Sequence, residues 1–194
     1  MAITAMAMTR RAAVLLGAAT AAGCRSPEPA LYTILPVAGS TRSGAARSIV
    51  VREIALARYL DRVQIVRSAG EYRLEVAGND WWAESLGAML TRVTVENLTQ
   101  RLPQSSVIAS GGAITTPPDA VVEINLQRLG LTAPGTLVMT AQLAISFRDS
   151  RRRAVARTEN FTVPVADAGT PAFVAAASTA AGQLADAAAA ALTG

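Results

Sequence analysis

The chain has no histidine and no lysine, and it has a single cysteine among its 194 residues. Without histidine, a Ser-His-Asp triad, a histidine general base and a histidine metal site are all excluded. The lone cysteine, Cys24, cannot form an internal disulfide. Neither a P-loop nor a glycine-rich dinucleotide loop is present, because Gly111-Gly112 lacks the required spacing. We therefore expect no enzymatic activity, no metal site and no cofactor.

Aromatic residues are also scarce, at 4% of the chain, and all 18 basic residues are arginine. Nucleic-acid-binding proteins usually show a basic patch with interleaved aromatics, so the net charge of +4 does not indicate nucleic acid as a partner. Paired carboxylates could still perform acid–base chemistry. The pairs nearest in sequence, Asp80/Glu84 and Glu71/Glu75, are better explained by helix capping and by a solvated hairpin.

The N-terminal residues have the pattern of a secretory signal. A double arginine provides a positively charged flank, residues 12–22 form an apolar run too short to cross a membrane, and small residues precede Cys24. A cysteine directly after such a cleavage site resembles a lipobox, in which the thiol takes a diacylglyceryl group and the peptide is cut before the cysteine. We predict a signal peptide over 1–23, a covalent acyl anchor on Cys24 and a tether over 24–30.

An alternative interpretation of this segment stays open. The lipobox pattern departs at Ala21, where leucine is usual, so Cys24 could instead be a free or buried thiol after an ordinary signal peptide. Any of the first three methionines could be the true start. In either case the remainder is long enough for one domain with a core, and we predict a single periplasmic domain over 31–194.

The first half of this domain alternates between strand and helix patterns. β-branched and alternating stretches predict strands, with a hairpin around 68–71. A helix follows, with Asp80 as its cap and Glu84 in its first turn, and it ends near Leu102 because Pro103 follows. The strands predicted around this helix cover 31–35, 48–56, 64–67, 72–76 and 105–110.

The second half contains the clearest strand. Over 136–148, apolar residues alternate strictly with small and polar ones, which predicts an antiparallel sheet with one face in the core. Neighbouring strands are predicted over 121–126, followed by a bulge at 128–129, and over 154–163. An alanine-rich helix over 171–192 completes the chain. This order predicts an α+β domain in which two helices pack on one face of a mostly antiparallel sheet.

Two segments carry a family resemblance. The first is YLDRVQIVR over 59–67, and the second is WAESL over 82–86 together with VTVENLTQRL over 93–102. Behind a lipobox and the LYT opening at 31–33, these segments resemble the PqiC/YmbA-type lipoproteins, also called ABC-type transport auxiliary lipoproteins.

The resemblance implies a role rather than a reaction. Such lipoproteins accompany MCE-domain (mammalian cell entry) proteins and, in many operons, an ABC transporter, in systems that move phospholipids or other hydrophobic molecules between the two membranes. The implied protein is a non-enzymatic accessory subunit anchored in the outer membrane and facing the periplasm. Its partners would be an MCE-domain protein, ABC transporter subunits and the membrane lipid around its anchor. Some members form rings, so a homo-oligomer stays open.

Five residues are candidates for partner binding. Tyr59, Asp61 and Arg62 could contact the MCE partner or a neighbouring subunit. In the structural alternative, Asp61 pairs with Arg62 to fix a tight turn while Tyr59 fills the core. Trp81 and Trp82 could form a lipid-facing or partner-facing patch, since aromatic side chains favour interfaces. In their structural alternative, at least one ring packs against the sheet at the start of the helix.

Three other functions remain as rivals. An envelope hydrolase would need a pocket of convergent carboxylates, for which the sequence offers no compact candidate. The protein could be a structural or assembly lipoprotein of the envelope that is not tied to a transporter. It could also be a periplasmic lipid-binding carrier, which would need a cavity of its own between the sheet and the helices.

Overall fold

The computed structural model describes residues 27–68, 72–113, 117–133 and 135–194. The predicted signal peptide and Cys24 lie outside these ranges. Within them, the chain forms nine strands and two helices. Their bounds are β1 Ala30–Tyr32, β2 Ser48–Val51, β3 Ala55–Leu56, β4 Gln64–Ser68, β5 Leu74–Trp82, α1 Leu86–Arg101, β6 Ser106–Ala109, β7 Ala120–Ala133, β8 Thr136–Phe147, β9 Val155–Pro164 and α2 Thr170–Thr193.

The strands divide between a large and a small sheet. The large sheet has the order β6-β2-β7-β8-β9, and β3 also pairs with β7. Its two long ladders, β7/β8 and β8/β9, are antiparallel, whereas β2 runs parallel to β6 and β7, and β3 runs parallel to β7. The small sheet has the order β1-β5-β4, with β4 antiparallel and β1 parallel to β5. The predicted α+β class with mostly antiparallel pairing is confirmed, although the strands form two sheets rather than one.

The alternating pattern of β8 places its apolar side chains in the core. One face carries buried apolar residues, and the other carries mainly polar or small residues. Helix α2 packs on β7, β8 and β9, while α1 packs on β2, β6 and α2. The alanines of α2 allow this close approach because a methyl group adds little thickness between helix and sheet. The core-facing residues of β8 are Leu137, Met139, Ala141, Leu143 and Ile145.

Helix α1 begins later than the sequence predicts. Its N-cap is Ser85, whose hydroxyl accepts a hydrogen bond from the Ala88 amide at 3.3 Å. Asp80 lies within β5, so the prediction that it caps this helix is wrong. Glu84 precedes the first turn and binds Arg92 at 2.8 Å, and this contact raises the pKa of the Arg92 guanidinium. The predicted end near Leu102 is confirmed.

The predicted strand over 48–56 is interrupted, and the interruption brings the chain to α1. Between β2 and β3, the Ile54 amide donates to the Thr91 hydroxyl at 2.9 Å. The Ile54 carbonyl lies so close to α1 that a Cβ atom at Gly87 would be 2.9 Å from its oxygen. This helix–strand approach therefore needs a glycine at position 87.

The chain after β1 is an extended segment that lies against both helices. The Leu35 amide donates to the Ser178 hydroxyl of α2 at 3.1 Å, and the Val37 amide donates to Oδ1 of Asn97 in α1 at 2.8 Å. Side chains of the two helices thus supply the hydrogen-bond partners that a neighbouring strand would otherwise provide.

Arg101 joins this segment to both helices. Its side chain is only 1% exposed, and its Nε donates to Asp186 of α2 at 2.7 Å. Its terminal nitrogens donate to the carbonyl oxygens of Val37, Asn97 and Gly182 at 2.9–3.2 Å. Nearly all of the donor capacity of the guanidinium is used, so burying this charge is compensated.

Gly39 lies directly against this guanidinium. A Cβ atom at position 39 would come within 2.2 Å of Cζ of Arg101, and the guanidinium cannot retreat without losing hydrogen bonds. We expect Gly39→Ala to lower the free energy of unfolding by about 1–3 kcal/mol, measured by urea denaturation. Gly112→Ala is the matched control, because its added Cβ would have no atom nearer than 3.9 Å. Equal stability losses in the two variants would contradict this packing.

Candidate partner-docking site

The first resembling segment and the 82–86 part of the second meet beside the start of α1, whereas residues 93–102 form the C-terminal half of that helix and its C-cap. The chain turns between β3 and β4, and the Trp82 amide at the end of β5 donates to the Val63 carbonyl at 2.7 Å. A depression of about 280 Å³ lies between β3, this turn and the first turn of α1. Its lining residues are Glu53, Ile54, Ala55, Leu56, Asp61, Ser85 and Gly87. We call this depression the α1 groove.

Backbone hydrogen bonds hold the turn on one side of the α1 groove. The Leu60 amide donates to the Ala57 carbonyl at 2.8 Å, and the Arg62 amide donates to the Leu60 carbonyl at 2.9 Å. The Leu60 side chain is buried, which leaves Asp61 and Arg62 exposed at the surface. Among the described residues these two side chains form no ion pair with each other, so the predicted Asp61–Arg62 pairing is wrong. The backbone closes the turn, and both charges remain available to a partner.

Tyr59 has the structural role that the sequence offered as one alternative. Its ring is partly buried against the core, and its hydroxyl accepts a hydrogen bond from the Leu129 amide at 3.3 Å. Strand β3 pairs with β7 only at Asn125 and Leu126, so the Leu129 amide lies beyond the end of β3. The predicted bulge is present between Leu126 and Arg128. Tyr59 therefore anchors the turn to β7.

The two tryptophans occupy different environments in β5. Trp82 is buried in the core and pairs with Tyr32 of β1. Trp81 is half-buried, and its backbone pairs with Leu31 on one side and Gln64 on the other. One ring does pack in the core, as the structural alternative expects, but from a strand rather than from the start of the helix.

Asp80 links the small sheet to the start of α2. Its carboxylate accepts a hydrogen bond from the hydroxyl of Thr170, the first residue of α2, and lies 3.6 Å from a terminal nitrogen of Arg67. Arg67 also donates to the Ala168 carbonyl at 2.6 Å. The contact of Asp80 with the start of α2 was not predicted from the sequence, which placed Asp80 at the start of α1.

The α1 groove has the chemistry of a binding surface. Two exposed carboxylates, Glu53 and Asp61, lie at a groove whose walls are partly apolar. No group of three or more metal-ligating Asp, Glu, Cys or His side chains occurs in the described part of the chain. An anionic groove of this size suits a basic or amide-bearing side chain of a protein partner.

Sequence reasoning did not find the Arg101 cluster. Because arginine is rarely buried, the sequence gave no reason to place the Arg101 side chain in the core. Asp186 offered a weak signal, because it is the only charged residue of the alanine-rich helix α2. A lone charge on such a helix is consistent with a partner on another element.

Neither helix of the described residues is both long enough and apolar enough to span a bilayer.

The fold of this chain is similar to those of two solved structures. A crystal structure titled as an uncharacterized protein superposes with a TM-score of 0.70 at 15% sequence identity, over 84% of this chain and 97% of that chain. Protein XCC0632 from Xanthomonas campestris, of the DUF330 family, superposes with a TM-score of 0.64 at 18% identity, over 82% and 91% of the two chains. At these identities the likeness concerns the fold alone.

The sequence itself carries the assignment to a family. No curated protein sequence matches the chain significantly. The family model described as "ABC-type transport auxiliary lipoprotein component" matches residues 31–189, which include both resembling segments, the α1 groove and nearly all of α2. The chain therefore belongs to the family of ABC-type transport auxiliary lipoproteins, the PqiC/YmbA-like family.

Proposed function

We propose that this protein is a non-enzymatic accessory subunit of an MCE-type intermembrane lipid transport system. It is held on the periplasmic face of the outer membrane by an acyl anchor on Cys24. The observation that carries the proposal is the family match over residues 31–189, because an ABC-type transport auxiliary role is the property that defines the family. The lipobox-like sequence before Cys24 and the absence of an aspartate directly after it support the anchor and its location.

The α1 groove is the proposed docking site for the MCE-domain partner. Leu60 is buried and Tyr59 is bonded to β7, so the backbone of the turn is held in place at Asp61 and Arg62. A backbone that is already ordered lowers the entropic cost of association. The exposed charges steer the encounter and determine which partner fits.

The packing of the domain favours an accessory role over a lipid carrier. A carrier needs a cavity between the sheet and the helices. In the described residues that space is filled by the apolar side chains of β8 and by the buried face of α2, including Phe173, Ala177, Ala180 and Leu184. A phospholipid chain would have to displace this close-packed core.

The test is co-purification from envelopes solubilised in mild detergent. Tagged wild-type protein is expected to recover an MCE-domain protein, identified by mass spectrometry. Asp61→Arg reverses the charge at the α1 groove and is expected to reduce that recovery at least about tenfold, equivalent to the roughly 1.4 kcal/mol of one lost charge contact. Asp149→Arg, which reverses an exposed carboxylate in the β8–β9 hairpin, is the matched control and should retain the partner.

Two outcomes would contradict the proposal, one of them its transport role and the other its docking site. Recovery of unrelated envelope proteins alone would replace the transport role with that of an assembly lipoprotein. Normal recovery of the MCE-domain protein by Asp61→Arg would leave the role intact but remove the α1 groove as its docking site.

A further inference from the structure

The exposed large hydrophobic side chains of the described residues are concentrated at the small sheet. Each of them lies on β1 or β5, or within three residues of a strand of this sheet, and they are between 46% and 92% exposed. They are Leu31, Leu35, Val63, Tyr72, Leu74 and Val76. Single exposed hydrophobic residues are ordinary, but their concentration on one small element marks a surface that contacts something apolar.

The open face of the large sheet differs from the small sheet in its exposed side chains. It carries polar side chains that bond to one another, with Asn125 donating to Gln142 at 3.3 Å and Thr140 donating to Asn160 at 2.8 Å. The apolar surface of the small sheet is therefore not a general property of the sheets in this protein.

The chain enters the fold along the small sheet. Strand β1 pairs with the end of β5, and the Asn79 side chain in β5 donates to the Pro27 carbonyl at 2.7 Å. Pro27 is the third residue after Cys24, and three extended residues span at most about 11 Å. An acyl anchor on Cys24 would thus keep Pro27 and the adjoining part of β5 close to the bilayer surface.

The charges of the small sheet do not oppose contact with a bilayer. Arg73 pairs with Glu75, and Arg67 pairs with Asp80, so each cation lies beside an anion. Trp81 is half-buried next to exposed Leu31, and Tyr72 is exposed near the start of β5. Tryptophan and tyrosine are the side chains that favour the headgroup region, because each has an apolar ring and a polar group.

We propose that the small sheet is a second membrane contact, lying on the same bilayer that holds the acyl chains of Cys24. Leu31, Leu74 and Val76 reach the apolar boundary of the headgroup layer, with Trp81 and Tyr72 beside them. This inference rests on the proposed anchor and extends it. A flexible tether alone would let the domain rotate freely, whereas a two-point contact fixes its orientation on the membrane.

The test uses tryptophan fluorescence in the lipidated protein, reconstituted into vesicles of phosphatidylethanolamine and phosphatidylglycerol with or without brominated acyl chains. Both tryptophans of the chain lie in β5, so Trp82→Phe leaves Trp81 as the only reporter. A second reporter is Tyr72→Trp in a chain that also carries Trp81→Phe and Trp82→Phe. The matched control is Thr158→Trp in the same double-Phe background, on the open face of β9. Circular dichroism verifies that each variant is folded.

The proposal predicts that brominated lipid lowers the fluorescence of Trp81 and of Tyr72→Trp and leaves Thr158→Trp unchanged. Adding Leu31→Ser, Leu74→Ser and Val76→Ser should reduce the quenching of both small-sheet reporters. If the protein floats with the vesicles but its small-sheet reporters are quenched no more than Thr158→Trp, the second contact is wrong and the anchor stands. If the wild-type protein does not float, the anchor itself is wrong. If the small-sheet reporters are not quenched in vesicles, and a photoreactive amino acid at position 74 crosslinks to an envelope protein in intact envelopes, the surface belongs to a protein partner and the proposal is overturned.

Discussion

Arg101→Met is expected to lower the free energy of unfolding by about 2–4 kcal/mol, because four hydrogen bonds of a buried charged group are lost while Asp186 stays half-exposed to water. The methionine fills much of the volume of the arginine stem, so the loss arises from the hydrogen bonds rather than from a cavity. The carbonyl oxygens of Asn97 and Gly182 lose the guanidinium but keep their helical N–H donors, because both residues lie within helices. The Val37 carbonyl lies outside the helices and loses the guanidinium as its donor, which costs about 1–3 kcal/mol.

Urea denaturation followed by circular dichroism measures this loss. Asp186→Asn is the matched control, because Asp186 is half-exposed and its amide oxygen can still accept from Nε of Arg101. We expect Asp186→Asn to cost clearly less than Arg101→Met. A loss below about 1 kcal/mol for Arg101→Met, the range of an exposed ion pair, would show that the cluster does not hold the N-terminal segment and the helices together.

Cys24→Ala is expected to abolish membrane attachment of the mature protein. A multi-chain acyl anchor is stable where a single chain is marginal, and the thiol of Cys24 is the only group in the chain that can carry it as a thioether. Wild-type protein should partition into the detergent phase of Triton X-114, and its N-terminal peptide should carry the mass of a diacylglyceryl group. The Cys24→Ala protein should lose both properties.

Ser26→Ala is the control for this experiment, because it changes the tether without removing the thiol. Its partitioning should match that of the wild type. Recovery of wild-type Cys24 as a free thiol that reacts with iodoacetamide would contradict lipidation and favour an ordinary signal peptide.

Elements with a strong internal pattern could be predicted from the sequence. The strict alternation of β8 and the apolar stripe of α2 each specify one buried face without knowledge of the neighbours. The end of α1 could also be predicted, because a proline disfavours the α-helical conformation of the residue before it, and Pro103 follows Leu102. In these elements local preference and tertiary packing agree.

Elements whose conformation depends on distant partners could not be predicted. Residues 80–84 have the polar and acidic pattern of a helix start, yet Asp80, Trp81 and Trp82 complete β5 because β1 and β4 pair with it on both sides. The strand over 48–56 is interrupted because Thr91, far along the chain, takes the Ile54 amide. Competing hydrogen-bond partners from remote elements decided both cases.

Only part of the candidate site could be predicted from the sequence. The family resemblance selected two segments that each contribute one residue to the α1 groove, Asp61 and Ser85. It could not separate Tyr59, which stabilises the turn, from the exposed charges of Asp61 and Arg62. Telling a structural residue from an exposed one requires its burial, which a single sequence does not give. The structure leaves the two charged residues as the ones to test for partner binding.

Site-specific photocrosslinking in intact envelopes tests the accessory role most directly. A photoreactive amino acid replaces Arg62, the neighbour of Asp61 on the turn beside the α1 groove, and in a parallel chain it replaces the exposed Arg151 in the β8–β9 turn. We predict that position 62 crosslinks to an MCE-domain protein, identified by mass spectrometry, and that position 151 does not. Crosslinks from position 62 only to envelope proteins without an MCE domain would contradict docking of an MCE-domain protein at the α1 groove.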